Sequence, residues 1–321
     1  MINRTLVRTK VVTELFAFYN DGSKTKLTAE KELLHSFSDV YNLYFLQLEF
    51  VNYLTSYAQQ RLDEAVEIAA AMHKEYSVNS RFTQNRFAQQ LFENRILRRY
   101  VEEEKLSWES AHAAVETLYK QITDSELYKE YMASSESSYE ADKTLWRKIF
   151  SQILADNPQM EEAFDELEVS LDASGWVTDM NIVMSYVVKT IKRFREENGA
   201  DQPLLEMFDS EEELDFAKAL LRDAIANGDK YDKMVADCLK NWDPERIAYM
   251  DKIILTVALA ELFSFPEIPV QVTLNEYLDL AREYSTENSP QFINGILDEI
   301  VQRQRKQNSM LKFLSLNKSS N

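Results

Sequence analysis

The residues of this chain whose types and spacing can do chemistry are cations, amides and aromatics rather than nucleophiles or metal ligands. Arg4 and Arg8 stand one helical turn apart, so both guanidiniums can face one phosphate track, and Lys10 adds charge beside them. A solvated, frayed terminus is the other reading of the same three residues. Near the far end, Asn288, Ser289 and Gln291 surround a Ser-Pro helix start, where free N–H groups favour phosphate, and Phe292 follows in the first turn. A third group lies between. Arg81, Arg86, Arg95, Arg98 and Arg99 face a single acid, Glu93, and alternate with Phe82, Phe87, Leu91, Ile96 and Leu97. That mixture can grip RNA, or it can form an amphipathic helix whose arginines lie over a core.

Bond-making chemistry has little to work with. His35, His73 and His112 are far apart, on helical segments, without metal-ligand spacing. Glycine-rich phosphate loops, nucleophile elbows and zinc-protease motifs do not occur. The carboxylates are abundant but sit on solvated helix faces, and none is marked as half of an acid–base pair. Cys238, the one cysteine, lies on an amphipathic helix and reads as a small packing residue; it excludes an internal disulfide and any multi-cysteine metal site. The expected class is non-catalytic, with no cofactor and no metal.

The elements that must position these residues are helical. Five glycines and six prolines in 321 residues leave few breakers, and Glu, Lys, Leu, Ala and Gln abound. The spacing predicts a helix from about Arg4 to Tyr19, ended by Asn20-Asp21-Gly22-Ser23. A second helix starts near Thr28, and a long aromatic-rich one runs from about Asp39 to Met72, carrying Tyr41, Tyr44, Phe45, Phe50, Tyr53 and Tyr57 as core or packing residues. Asn79-Ser80 is the expected cap for the helix of Phe82 to Leu97. Residues 107–133 are helical again, and Ser134–Ser138 is a surface loop. Residues 241–298 hold three well-marked helices, opened by Asp243-Pro244, Pro269 and Ser289-Pro290.

Two stretches, Ala141–Phe194 and Glu212–Phe265, echo one another at a spacing of about seventy residues, with Asp156-Asn157-Pro158 in the first answered by Asn227-Gly228-Asp229 in the second, as in a degenerate internal repeat. Glu196–Pro203 between them is the best boundary. The net charge is −18, with cations gathered at residues 1–10, 81–99 and after Glu299, which admits polyanion locally while the body repels it. The start, MINRTLVRTK, is not followed by the apolar run of a secretory leader, and no stretch has membrane-spanning length, so a cytoplasmic location without membrane attachment is expected.

Residues 241–298 also resemble a known family. Trp242–Ile247 reads W-x(3)-R-I, and 250–262 reads M-D-K-I-I-L-T-V-A-L-A-E-L. Then come I-P-V-Q-V-T-L-N-E at 268–276, L-D-L-A-R-E-Y-S at 278–285 and F-I-N-G-I-L-D at 292–298. Order and spacing are those of the bacterial transcription antitermination factors of the NusB family. Arg4, Arg8, Leu15 and Phe16 look like that family's arginine-rich first helix. The resemblance implies an all-α, NusB-like helical bundle with an additional helical extension. Residues 1–20 and 206–308 would form the core, 21–205 the extension, and 309–321 a basic flexible tail. It implies RNA binding at Arg4, Arg8, Lys10, Asn288, Ser289, Gln291 and Phe292, the last by stacking on a base, with core packing as its other reading. Family positions facing a partner, the ribosomal protein NusE, fall on Phe16, Glu245 and Asp251, and the two acids among them suit a basic protein. The implied function is non-catalytic: with NusE, binding boxA-like single-stranded RNA in ribosomal transcripts and joining an RNA polymerase antitermination complex. A helical scaffold in ribosome assembly, or an accessory protein of an RNA-modifying system, are the alternatives.

Overall fold

A computed structural model describes residues 1–73, 77–239 and 247–307. The regular elements among the described residues are helices, apart from one isolated β-bridge. In chain order the α-helices are α1 (Arg4–Asn20), α2 (Lys26–Ala71), α3 (Arg86–Glu93), α4 (Arg95–Glu103), α5 (His112–Asp124), α6 (Glu126–Ala133) and α7 (Tyr139–Ile149). They continue with α8 (Pro158–Leu171), α9 (Trp176–Arg193), α10 (Glu211–Cys238), α11 (Tyr249–Ser264), α12 (Val270–Tyr284) and α13 (Ser289–Gln307). No described helix is long and apolar enough to cross a membrane.

The chain divides into two compact units. One joins Met1–Phe37 to the chain from Met207 onward; the other is Ser38–Glu206. In the first unit the closure is made at Ile2, whose N–H donates to the Met207 carbonyl at 2.8 Å and which forms a parallel bridge with Phe208. Phe37 meets Phe208 edge-on at 5.4 Å. Helix α11 is the axis of this unit, packed by α1, α10, α12 and α13. Its residues from Ile253 to Leu262 are buried on every side, as a helix apolar all round requires. The bidentate pair of Arg222 with Glu30 ties α10 to the start of α2.

In the second unit the later part of α2 is the core. Val40, Leu43, Tyr44, Phe45, Leu46, Phe50 and Leu54 are all buried. Two buried tryptophans donate their indole N–H to its backbone, Trp108 to Leu46 and Trp176 to Asp39, both at 2.8 Å. The aromatic run expected to pack does so.

Three local expectations are corrected. The break near Asp39 is absent, because the Ser36 hydroxyl bonds back to the Leu33 carbonyl rather than capping a new start, so α2 runs on. The stretch from Phe82 to Leu97 is not one helix capped by Asn79. Asn85 and Asn94 each accept an N–H three residues on, from Ala88 and Leu97, and start two short helices. The repeat also fails at one point: Asn157 caps α8, whereas α10 runs unbroken through Asn227-Gly228-Asp229. Gly228 serves close approach, since a Cβ there would stand 2.2 Å from the Tyr19 hydroxyl. The start at Asp243-Pro244 and the tail 309–321 lie outside the described residues.

Candidate nucleic-acid interface

Asn3 opens α1 by accepting the Leu6 N–H at 3.0 Å, which points the first turn of cations along the first unit. Arg4 stays half-exposed, its guanidinium 5.0 Å from the centre of the Phe216 ring. Arg8 does not share a phosphate track with it. It is 2 % exposed, and its Nε and Nη2 donate to Glu261 at 2.7 and 2.9 Å. Glu276 adds a charge 3.3 Å from Nη1. Thr273 and Tyr277 donate to the same Glu261 carboxylate at 2.8 and 3.1 Å. The result is a buried pair with its lone pairs satisfied, binding α1, α11 and α12 together. Burial acts to lower the Arg8 guanidinium, but the bond and charge of Glu261, helped by Tyr277 and Glu276, raise it above its ordinary value. Burial and the Glu261 charge hold the Tyr277 phenol well above its usual range. Lys10 is drawn in as well, 8 % exposed. The expectation of open cations on α1 is thereby corrected at Arg8 and Lys10, while Arg4 keeps exposed surface; for Arg8 the deciding residue is Glu261, an acid inside an apolar run whose place is opposite a buried cation.

The α12–α13 turn presents a second set. Ser289 is buried; its hydroxyl accepts the Thr286 N–H at 3.1 Å and donates to the Ser285 hydroxyl at 3.0 Å. Ser285 in turn donates to Asp251 Oδ1 at 2.5 Å. Ser289 and Asp251, expected on an RNA face and a protein face, are thus brought into one hydrogen-bonded chain that fixes the turn against the first turn of α11. Both side chains are buried rather than open on either face, which corrects the expectation that they are exposed. Asn288 and Gln291 are exposed and Phe292 is half-buried, so the rim of this turn is accessible.

On the expected protein face, Phe16 is half-buried and meets Tyr249 edge-on at 5.4 Å. Tyr249, 43 % exposed in the first turn of α11, was not singled out from sequence; an aromatic just before the apolar run was its only signal. Glu245 lies outside the described residues. Among the described residues no three His, Cys, Asp or Glu side chains are placed to hold a metal ion. Burial raises the Cys238 thiol, the opposite of what a nucleophile needs.

The arginines of residues 81–99 are largely committed. Arg81 donates to the Ser134 and Glu136 carbonyls and lies over the Tyr131 ring, and Arg95 pairs with Asp201 at 2.7 Å. Phe82 and Phe87 are in the core, so these arginines lie over a core rather than among stacking rings.

Comparison with known proteins agrees with this architecture. The NusB family model matches residues 180–302. The transcription antitermination protein NusB of Geotalea daltonii is 44 % identical over 86 residues, covering 27 % of this chain and 59 % of the relative. That of Geobacter sulfurreducens is 40 % identical over 109 residues, covering 32 % of this chain and 79 % of the relative. That of a Geobacter species, strain M21, is 33 % identical over 122 residues, covering 38 % and 83 %. The chain thus spans somewhat over half the length of the Geotalea relative, and most of the two Geobacter ones. No solved structure matches it. With ordered motifs, an all-helical unit built around α11, and relatives matched over most of their length, this chain belongs to the NusB family.

Proposed function

We propose that this chain is a non-catalytic, RNA-binding transcription antitermination factor. It acts in the cytoplasm with NusE on boxA-like single-stranded RNA in ribosomal transcripts, within an RNA polymerase antitermination complex. The observation that carries the reading is the 40 % identity over 79 % of the Geobacter sulfurreducens relative, a transcription antitermination protein by name.

Within that reading the accessible groups Arg4, Asn288, Gln291 and Phe292 touch RNA, and Arg8, Lys10 and Ser289 hold the surfaces that carry them. Phe16, Tyr249 and the buried Asp251 belong to the NusE side, as does Glu245. Holding RNA and a second RNA-bound protein at once raises the effective concentration of each for the other, which is how a non-catalytic factor keeps an assembly together.

The test is a binding titration of the full chain with boxA-like RNA and a scrambled control, each with and without NusE. A preference for boxA-like RNA that strengthens when NusE is added is expected. Phe292→Ala should weaken it by about 1–3 kcal/mol, the worth of one stacked base. Equal binding of both RNAs with no gain from NusE removes the reading.

A further inference from the structure

The second unit carries a groove of its own, about 1140 Å³, between the start of α3, α7, the end of α9 and the segment after it. Six cations line it: Arg86, Lys143, Lys189, Lys192, Arg193 and Arg195. Three carboxylates line it too, and each is matched to a cation: Glu140 with Lys143 at 2.7 Å, Glu196 with Arg86 at 3.9 Å and Glu197 with Arg195 at 3.9 Å. Lys189, Lys192 and Arg193 are exposed and have no carboxylate partner among the described residues. The groove therefore holds three uncompensated positive charges on a chain whose net charge is −18.

That excess needs a reason. Lys189 lies three and four residues before Lys192 and Arg193, so the three share one face of α9 and repel one another. The negative end of the α9 dipole offsets this for the last two, in the final turn, but not for Lys189. Arg86 and Lys143, each already paired with a carboxylate, are brought to the same groove by other helices. The wall is braced before any ligand arrives. Gln90 donates to the Arg195 and Gly199 carbonyls at 2.9 Å, Tyr139 donates to Gln90, and Lys143 donates to the Phe194 carbonyl at 3.1 Å. A preorganised row of cations on a helix recovers more binding free energy than the same charges on a loose loop.

The lining also says what kind of anion fits. Tyr139 and Phe194 are 5 % and 1 % exposed, so no ring face is open for a base. Lys189 and Arg193 are separated by about 6 Å along the helix axis, which lets them address successive phosphates of an extended chain. We propose that this groove is a second RNA site, taking the phosphate backbone without reading sequence, separate from the surfaces of the first unit. The identity of the polyanion as RNA rests on the antitermination reading; the capture of a phosphate chain does not.

The test uses the full chain and a labelled oligouridylate of about twenty nucleotides, long enough to fill a groove of this size. Affinity is measured against salt. The Lys189→Gln/Lys192→Gln/Arg193→Gln variant should bind at least about tenfold more weakly at low salt, and the slope of log affinity against log salt should fall by about two, near 0.7 per lost phosphate contact. Lys189→Arg/Lys192→Arg/Arg193→Lys, which keeps the charges, should bind as the parent does. Unchanged affinity and slope in the first variant overturn the proposal, as does a parent with no salt dependence. Competition by pyrophosphate as effective as oligouridylate at equal phosphate concentration also overturns it, in favour of a small phosphorylated ligand. An Arg4→Glu/Phe292→Ala variant separates the two readings: it should lose any boxA preference and keep oligouridylate binding.

Discussion

Replacing Glu261 measures how far the first unit depends on one buried ion pair. In Glu261→Met the Arg8 guanidinium, with a side chain 3 % exposed, keeps as carboxylate partner among the described residues only Glu276, 3.3 Å away and itself 26 % exposed, beside the Phe216 ring at 5.6 Å. Removing one member of a buried pair costs on the order of 3–5 kcal/mol, and the remaining Glu276 charge puts the expected loss at the lower end, about 3 kcal/mol. Arg8→Met leaves the carboxylate with the Thr273 and Tyr277 hydroxyls as donors, and a similar loss of about 3 kcal/mol is expected. The double variant removes both charges and leaves those two hydroxyls without their acceptor, a penalty of about 2 kcal/mol. That is far short of the sum of the single losses, so a coupling of about 4 kcal/mol is expected. Urea titration followed by far-ultraviolet circular dichroism reads it, fitted transition by transition because two units need not unfold together. Losses that simply add, or a single loss under about 1 kcal/mol, would refute the argument that this pair is desolvated and mutually satisfied.

Alkaline pH should destabilise the fold through its buried phenols. Burial and the Asp142 carboxylate push Tyr131 up to about 12, and burial raises Tyr44 and Tyr277 as well. A phenol whose folded pKa is raised contributes stability that is full below its ordinary value of 10.0 and is lost as pH climbs through the folded value. Phenolate absorbance followed with helix content checks this; unfolding below pH 10.0 would contradict it. Gly228→Ala should gain little in the parent, because its methyl meets the Tyr19 hydroxyl, but about 1 kcal/mol in a Tyr19→Phe background, where helix propensity acts unopposed. Equal thermal shifts in both backgrounds would count against that contact. Asn94→Ala should cost about 2 kcal/mol, losing a cap and orphaning the Gln202 carbonyl it donates to at 2.8 Å, whereas exposed Asn79→Ala should stay within about 0.5 kcal/mol. Chemical denaturation of the two variants side by side decides it.

Much of the first unit could be read directly from the chain. The helix starts at Pro269 and Ser289-Pro290 depend on residues within one turn of themselves, and so does the Asn3 cap of α1. Periodicity is equally local: the stripe from Ile253 to Leu262 demands burial whatever covers it. The family motifs from Met250 onward lie in α11, α12 and α13, which is why the family was legible from them.

Asn227-Gly228-Asp229 reads as a turn by composition, yet it continues a helix, because Tyr19 of a distant helix fills the space that glycine leaves. Asn79 and Asn85 are equally good caps by residue type; Asn85 starts a helix because Tyr131 and the Asp142 carbonyl receive its amide. Arg8 is the sharpest case. One turn from Arg4, it is indistinguishable from an exposed phosphate-binding arginine until its partner is known, and that partner lies 253 positions along the chain. The same holds for the groove of the second unit, where Arg86, Lys143 and the α9 cations converge from separate helices. Sequence determined which segments are helical and which faces must be covered, since those depend on neighbours within a few residues. Which cations are buried in pairs and which are left to face an anion was decided only when remote segments packed, because burial is set by what lies on top.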